Sequence, residues 1–142
     1  MTIAFAADHA GFEYKVQLTE IVKNLKHEVM DFGAFSSEPV DYPDYAFPAS
    51  KAVAEGKADF GIIICGTGIG MAITANKVSG IRAANCCSVK MAQMAREHNN
   101  ANILALGARL IDIKLAARII KTFLKTEFQG GRHQRRLEKI ES

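Results

Sequence analysis

Five short apolar runs alternate along the chain with longer stretches of helical periodicity. We predict strands at residues 2–7, 27–33, 60–65, 80–86 and 102–107, and helices at residues 11–26, 44–55, 68–78, 88–98 and 112–125. Strands that alternate with helices form right-handed βαβ units, which pair the strands in parallel and place helices on both faces of the sheet. The run "FGIIIC" (60–65) has no polar alternation, so we expect it to be buried on both faces.

The pattern therefore predicts an α/β fold. We expect a three-layer αβα sandwich around a five-stranded parallel sheet, doubly wound and Rossmann-like, followed by a charged C-terminal helical tail after "QGG" (129–131). The 142 residues suit a single domain over 1–142.

Composition excludes several classes of protein. The formal charge of +3, without a basic stripe interleaved with aromatics, argues against nucleic-acid binding. No apolar run approaches the roughly 20 residues that span a bilayer. The three cysteines include the adjacent pair Cys86 and Cys87, which gives neither a disulfide framework nor metal-ligand spacing. We expect free thiols in a cytoplasmic protein, with Cys86 and Cys87 as small core hydrophobes.

Reactive side chains follow the predicted strands where each strand ends. Asp8 and His9 follow the first strand, Tyr42 the second, and Arg109 the fifth, while Cys65 ends the third. The carboxyl ends of parallel strands form the edge at which open α/β sheets bind ligands. We therefore expect these side chains to lie together. Asp8 could orient the imidazole of His9, or the pair could simply form a solvated turn.

The loop "GTGIG" (66–70) connects a buried strand to a helix, so its backbone N–H groups can form an anion-binding nest. A tight turn without a ligand is the plain alternative. The sequence does not fit a dinucleotide fingerprint, because Met71 replaces the third glycine and Asn85 stands near the place of the acidic ribose ligand. It also lacks the lysine of a nucleotide P-loop and the arginine of a cysteine phosphatase.

Cys65 directly precedes this nest. A glycine nest at a helix N-terminus favours the thiolate, which can act as a nucleophile or as a general base. His98 could be a core histidine, but it stands in the polar turn "EHNNAN" with Asn99. Arg132 and Arg136, four residues apart, share one face of the predicted tail helix. They could form a phosphate clamp, which Arg109 could join, or a solvated basic face.

Five stretches together resemble type B ribose-5-phosphate isomerases, a group that includes allose-6-phosphate and galactose-6-phosphate isomerases. They are "AADHAGFEYK" (6–15), "DFGAFSSEPVDYPDYA" (31–46), "ICGTGIGMAITANKVSGIRAA" (64–84), "REHNNANILALGAR" (96–109) and "GGRHQRR" (130–136). The resemblance runs nearly from end to end and implies an aldose–ketose isomerase that interconverts ribose 5-phosphate and ribulose 5-phosphate.

The resemblance also implies roles for individual residues. Cys65 matches the base that moves a proton between C1 and C2, and His98 matches the group that helps to open the furanose ring. The implied oxyanion cradle consists of Thr67 and the amides of Gly66, Thr67, Gly68, Ile69 and Gly70. The implied sugar-hydroxyl contacts are Asp8, Tyr42 and Asn99, and the implied phosphate site is His9, Arg109, Arg132 and Arg136.

The family uses no metal or coenzyme and places its active sites between two subunits, so the resemblance implies a homodimer or homotetramer. It also implies the strand order 2-1-3-5-4, whereas simple doubly wound logic predicts 2-1-3-4-5.

Other functions remain open at this point. The sugar could be allose or galactose 6-phosphate, since the sequence does not fix its length. A non-catalytic phosphate- or nucleotide-binding module would have no need of Cys65. A redox or thiol-transfer protein would need Cys86 or Cys87 to approach Cys65 in space.

Overall fold

The computed structural model describes residues 1–141. The strands are β1 (Thr2–Ala7), β2 (Glu28–Asp31), β3 (Phe60–Cys65), β4 (Ala83–Asn85) and β5 (Ile103–Gly107). The helices are α1 (Phe12–Asn24), α2 (Pro43–Ala54), α3 (Ile69–Ala75), α4 (Val89–Asn99), α5 (Ile113–Lys125) and α6 (Arg132–Glu141).

All strand pairs are parallel, and the strand order is β2-β1-β3-β5-β4. This confirms the three-layer α/β fold and the strand order that the family resemblance implied. The order from simple doubly wound logic is wrong, because β5 enters the sheet beside β3 and leaves β4 at the edge.

Two apolar clusters cover the two faces of the sheet. On one face, α1, α4 and α5 pack against the strands, and α5 contributes the fully buried stripe Ala116, Ile119, Ile120 and Phe123. On the other face, α2 and α3 pack against Ile63, Ile103 and their neighbours. Because both faces are covered, β3 and β5 are buried along almost their whole length, as the "FGIIIC" run indicated.

Local side-chain chemistry sets several helix boundaries. The hydroxyl of Ser88 accepts a hydrogen bond from the amide of Met91 and begins α4, while the carboxylate of Asp112 accepts one from Leu115 and begins α5. Each bond satisfies one of the amides that a helix N-terminus leaves unpaired.

The fourth predicted strand is too long. Only Ala83–Asn85 pair with β5, because the amide of Arg82 bonds to the side chain of Asn102 instead of continuing the ladder. The third helix is also shorter than predicted. It ends at Ala75, and the side chain of the next residue, Asn76, exchanges two hydrogen bonds with the backbone of Ala83.

Candidate active site

Cys65 ends β3 at the carboxyl edge of the sheet, and the predicted neighbours lie beside it. The Asp8 amide donates to the Ile64 carbonyl at 3.2 Å, and the Arg109 amide donates to the Gly66 carbonyl at 2.9 Å. Backbone bonds across neighbouring strand ends therefore hold the turns after β1, β3 and β5 together. The expectation that these residues lie at one edge is confirmed.

The thiol of Cys65 faces the glycine loop and is only 5% exposed. The Gly68 amide donates a hydrogen bond to the Cys65 sulfur at 3.1 Å. Within the same loop, the Ile69 amide donates to Thr67 Oγ1, also at 3.1 Å. The amide bond fixes the sulfur against the start of α3 and leaves it at the carboxyl edge of the sheet.

Asn85, at the end of β4, holds this loop from behind. Its Nδ2 donates to the Thr67 carbonyl at 3.3 Å. Gly68 has a φ of +82°, and a Cβ there would lie 2.4 Å from Asn85 Oδ1, so only glycine allows the close approach. Sequence reasoning considered Asn85 only as a residue that stands where a dinucleotide-binding protein would have a carboxylate. Its position at the end of a predicted strand could have identified it as a site residue.

Tyr42 and Arg109 contact the loop from the open side. A Cβ on Gly70 would lie 2.6 Å from Cζ of Tyr42, so the phenol ring packs directly on the start of α3. A Cβ on Gly66 would lie 3.1 Å from Nη1 of Arg109, so the guanidinium covers the residue next to the thiol. The loop is thus enclosed between an aromatic ring and a cation.

Asp8 and His9 do not act as a pair in this structure. The Asp8 carboxylate is buried and accepts hydrogen bonds from the amides of Ala10 and Gly11, which fixes the turn into α1. His9 Nδ1 instead accepts a hydrogen bond from the Val40 amide at 3.1 Å. Since Nδ1 accepts, the ring proton resides on Nε2, which is left to donate. The idea that Asp8 orients His9 finds no support in these contacts.

The remaining predicted site residues lie at the other end of the strands, where the strands begin. His98 and Asn99 end α4, and the carbonyls of Asn99 and Asn100 accept hydrogen bonds from Arg82, which directly precedes β4. We call His98, Asn99, Arg132 and Arg136 the distal cluster.

Strand register gives the separation of the two groups. Cys65 pairs with Gly107, whereas the first residue of β4 pairs with Ile103. Four residue steps at about 3.3 Å each amount to about 13 Å along the strands. One chain therefore does not bring the distal cluster to Cys65.

Helix α6 joins the distal cluster through a ring contact. The imidazoles of His98 and His133 stack with centroids 4.4 Å apart. His133 and Leu137 of this helix are both buried, while Arg132 and Arg136 are exposed. Sequence reasoning missed His133, because the ring that stacks on it, that of His98, comes from another helix.

The three cysteines are free and lie in different environments. Cys86 belongs to the apolar cluster on the face opposite that of Cys65. The prediction that Cys87 is a core residue is wrong, because Cys87 is exposed and its sulfur contacts Met91 Sδ at 3.5 Å. In these positions neither Cys86 nor Cys87 makes the contact with Cys65 that a redox pair would need.

No helix within residues 1–141 combines the length and apolar character that a membrane span requires. No three His, Cys, Asp or Glu side chains in this range are grouped so that they could hold a metal ion.

A buried thiol on a glycine loop, enclosed by an aromatic ring and a guanidinium, lies at the edge of the sheet where parallel α/β proteins bind their ligands. The chain belongs to the ribose/galactose isomerase family, whose model matches residues 3–140. It is a sugar-phosphate isomerase.

Individual relatives cover nearly the whole chain. Ribose-5-phosphate isomerase B of Escherichia coli is 46% identical over 138 residues, which are 97% of this chain and 93% of that protein. D-erythrulose-4-phosphate isomerase of Pectobacterium atrosepticum is 44% identical over 142 residues, which are 99% and 93%. The structure of Clostridium thermocellum ribose-5-phosphate isomerase B matches with a TM-score of 0.98 at 51% identity, covering 99% of this chain and 95% of that one.

Proposed function

We propose that this chain interconverts ribose 5-phosphate and ribulose 5-phosphate, with Cys65 as the base that transfers the proton. The observation that carries the proposal is the hydrogen bond from the Gly68 amide to the Cys65 sulfur at the carboxyl edge of the sheet. A non-catalytic binding module would gain nothing from a thiol held in this way. The family and the Escherichia coli relative support the same reaction.

The proton transfer follows from the geometry of the loop. The Cys65 thiolate removes the proton from C2 of the open-chain aldose, and the electron pair moves through C1 onto O1 to give an enediolate. The thiol then returns the proton to C1, while the proton of O2 passes to O1, so that O1 becomes a hydroxyl and O2 becomes the ketose carbonyl. Proton and electrons balance within the sugar, so no oxidant or reductant is consumed.

Donors in the loop stabilise the developing oxyanion. Thr67 Oγ1 accepts from the Ile69 amide, so its own hydroxyl proton is free to point at the sugar. The Gly68 amide is committed to the sulfur and the Ile69 amide to Thr67, which leaves the amides of Gly66, Thr67 and Gly70 for the enediolate. One such donor contributes about 3 to 4 kcal/mol to the stability of the transition state.

The phosphate is bound far from the reacting carbons. His9 presents its Nε2 proton, and Arg109 lies over Gly66, so both can reach an anion at this edge. Arg132 and Arg136 add the charge-assisted hydrogen bonds that a phosphate favours. Binding energy at this end of the sugar supports the chemistry at C1 and C2.

The distal cluster reaches Cys65 from a second copy of the chain. A two-fold axis places the same surface on both subunits, so each copy would supply its cluster to the other's thiol. The surface that connects the two groups runs along the edge strand β4. It includes three exposed isoleucines, Ile69 (53%), Ile73 (58%) and Ile140 (64%), which a partner would bury. We propose a homodimer or a dimer of dimers with shared sites.

The preferred sugar is a separate matter within the same chemistry. The relative named for D-erythrulose 4-phosphate shows that the family extends beyond pentoses. An allose or galactose 6-phosphate isomerase is the six-carbon alternative. Catalytic efficiencies measured side by side on the four-, five- and six-carbon phosphates rank them.

The direct test is conversion of ribose 5-phosphate to ribulose 5-phosphate by the purified chain with no cofactor added. We expect turnover that inorganic phosphate inhibits competitively. If none of the sugar phosphates is isomerised while one of them binds, the chain is a binding module and the proposal is wrong.

A further inference from the structure

Arg96 is a buried charged residue that the chemistry above does not use. It lies on α4 two residues before His98 and is 7% exposed. Its guanidinium carbon lies 4.7 Å from the ring centroid of Phe60 and 5.7 Å from that of Phe123. An apolar side chain of similar volume would fill the space beside these rings without the free-energy cost of burying a charge. The hydrogen bonds of the guanidinium must therefore explain why a charged residue stands here.

Those hydrogen bonds join the two chain segments that carry the distal cluster, the end of α4 and the connection from α5 to α6. Nη1 of Arg96 donates to Asn100 Oδ1 at 2.8 Å and to the Ala101 carbonyl at 2.6 Å, directly after His98 and Asn99. Nε donates to the Thr126 carbonyl at 3.1 Å, at the end of α5. Residues 126–131 connect this point to α6 and hence to Arg132 and Arg136.

A second link ties the same segments together. The Gln129 amide donates to the Glu97 carbonyl at 3.0 Å, and Gln129 Nε2 donates to Glu97 Oε2 at 3.0 Å. The two residues directly before His98 thus fix the end of α4 against the connection to α6. Arg96 is the buried member of this arrangement, while Gln129 lies nearer the surface.

We propose that Arg96 is a positioning residue, which sets the spacing between the ring-opening group His98 and the phosphate arginines Arg132 and Arg136. The inference rests on the proposed function, in which the distal cluster serves the Cys65 of a second copy. Only C4, C5 and O5 separate the ring oxygen of the substrate from its phosphorus, so the two parts of the cluster must stay within a limited distance of each other. A misplacement of about 1 Å can lower the rate about 100-fold.

The first test compares Arg96→Lys with a control that is destabilised elsewhere. Lysine keeps the charge but cannot reach both segments at once. Val22→Ala removes buried volume in α1, on the far side of that face from α4, and touches neither group of site residues. We expect Arg96→Lys to lose about 10- to 100-fold in kcat/KM for ribose 5-phosphate at a temperature where it is fully folded. Val22→Ala should lower Tm and leave kcat and KM unchanged.

The second test asks whether Arg96 acts through the cluster given to the partner. Arg96→Lys and Cys65→Ala chains are co-expressed with different tags, and the mixed dimer is purified. One of its sites combines an intact thiol with an intact cluster, so the mixed dimer should recover about half of the wild-type activity. A subunit damaged as a whole by Arg96→Lys would not provide a working thiol and would give no recovery.

A parallel pair separates this inference from the proposed function. Mixed dimers of His98→Asn and Cys65→Ala should also recover activity; if they do not, the shared site is wrong. If they recover, but Arg96→Lys keeps wild-type kcat/KM or fails to complement Cys65→Ala, the positioning role alone is overturned. Should Arg96→Lys not fold, Asn100→Gly decides. Glycine keeps the left-handed φ of 43° and removes one acceptor of Arg96, and unchanged kcat/KM would overturn the role.

Discussion

The imidazole rings of His98 and His133 stack with their planes 12° from parallel. His98 lies at the end of α4 and His133 at the start of α6, so the stack holds the two parts of the distal cluster together. Burial of His133 lowers its pKa, and the nearby positive charges of His98, Arg132 and Arg136 lower it further. The folded protein therefore favours the neutral form of His133.

This preference predicts a pH-dependent stability. An unfolded histidine titrates near pH 6.5, so below about that pH the unfolded chain binds a proton more readily than the folded one. The free energy of unfolding should therefore fall as the pH is lowered from about 6.5 to 5. His133→Phe retains a ring for stacking but cannot titrate, so its stability should fall less over that range. Denaturant titrations of both proteins check this, and equal slopes would contradict it.

Substitution of His98 should impair ring opening selectively. His98→Asn is expected to be slow on ribose 5-phosphate, which is mostly a furanose. It should be much less impaired on erythrulose 4-phosphate, whose phosphorylated O4 cannot close a five-membered ring. Each loss is measured as kcat/KM relative to wild type on the same sugar. Equal losses on both sugars would show that His98 has another role, such as packing against His133.

Arg136 and Arg135 form a matched pair on α6. Both are exposed and lie within one helical turn of Arg132, but only Arg136 belongs to the phosphate site that the family resemblance implies. Loss of one charge-assisted hydrogen bond costs about 1.5 to 3 kcal/mol, so Arg136→Ala should lose about 10- to 150-fold in kcat/KM. Arg135→Ala should stay near wild type, and circular dichroism should show both variants folded.

Deletion of residues 132–142 should cripple activity while the sheet still forms, because all five strands precede it. Normal turnover by Arg136→Ala and by the truncated chain would make α6 a solvated helix and nothing more.

Much of the fold could be predicted because the signals are local. The apolar residues Ala116, Ile119, Ile120 and Phe123 recur at helical spacing and form the buried face of α5, and Ser88 and Asp112 cap the helices that they precede. Strand ends placed Asp8, His9 and Cys65 at one edge, since parallel strands end together. The resemblance, rather than any periodicity, supplied the order of β5 and β4.

Relationships between distant segments could not be predicted in this way. Nothing in the sequence singles out Arg96 within "REHNNANILALGAR", because its environment is determined by Thr126 and Phe60, which are distant from it along the chain. The placement of His98 away from Cys65 depends on the direction in which α4 runs back along the sheet. The assignment of Cys87 to the core was wrong, because adjacent residues in one turn can face opposite ways and Cys86 alone is buried.

The thiols should differ in reactivity. Burial raises the pKa of Cys86 to about 11, with a smaller effect from Cys87, so Cys86 is protonated at neutral pH. Cys87 is exposed. At pH 7.5, an alkylating reagent should label Cys87 in the native protein much faster than Cys86, as read by peptide mass spectrometry. Unfolded protein, in which all three thiols should react, is the control. Equal labelling of Cys86 and Cys87 in the native state would contradict the buried position of Cys86.

The most direct measurement for the catalytic account is exchange of the C2 proton of ribose 5-phosphate in deuterated water, followed by NMR. Cys65→Ala is compared with wild type and with Cys87→Ser, which changes an exposed thiol outside the site. Wild type and Cys87→Ser should both introduce deuterium and form ribulose 5-phosphate. Cys65→Ala should bind the sugar phosphate but neither exchange the proton nor form the ketose. If Cys65→Ala retains even about a tenth of the wild-type exchange rate, less than about 1.4 kcal/mol of barrier depends on the thiol, and Cys65 is not the base.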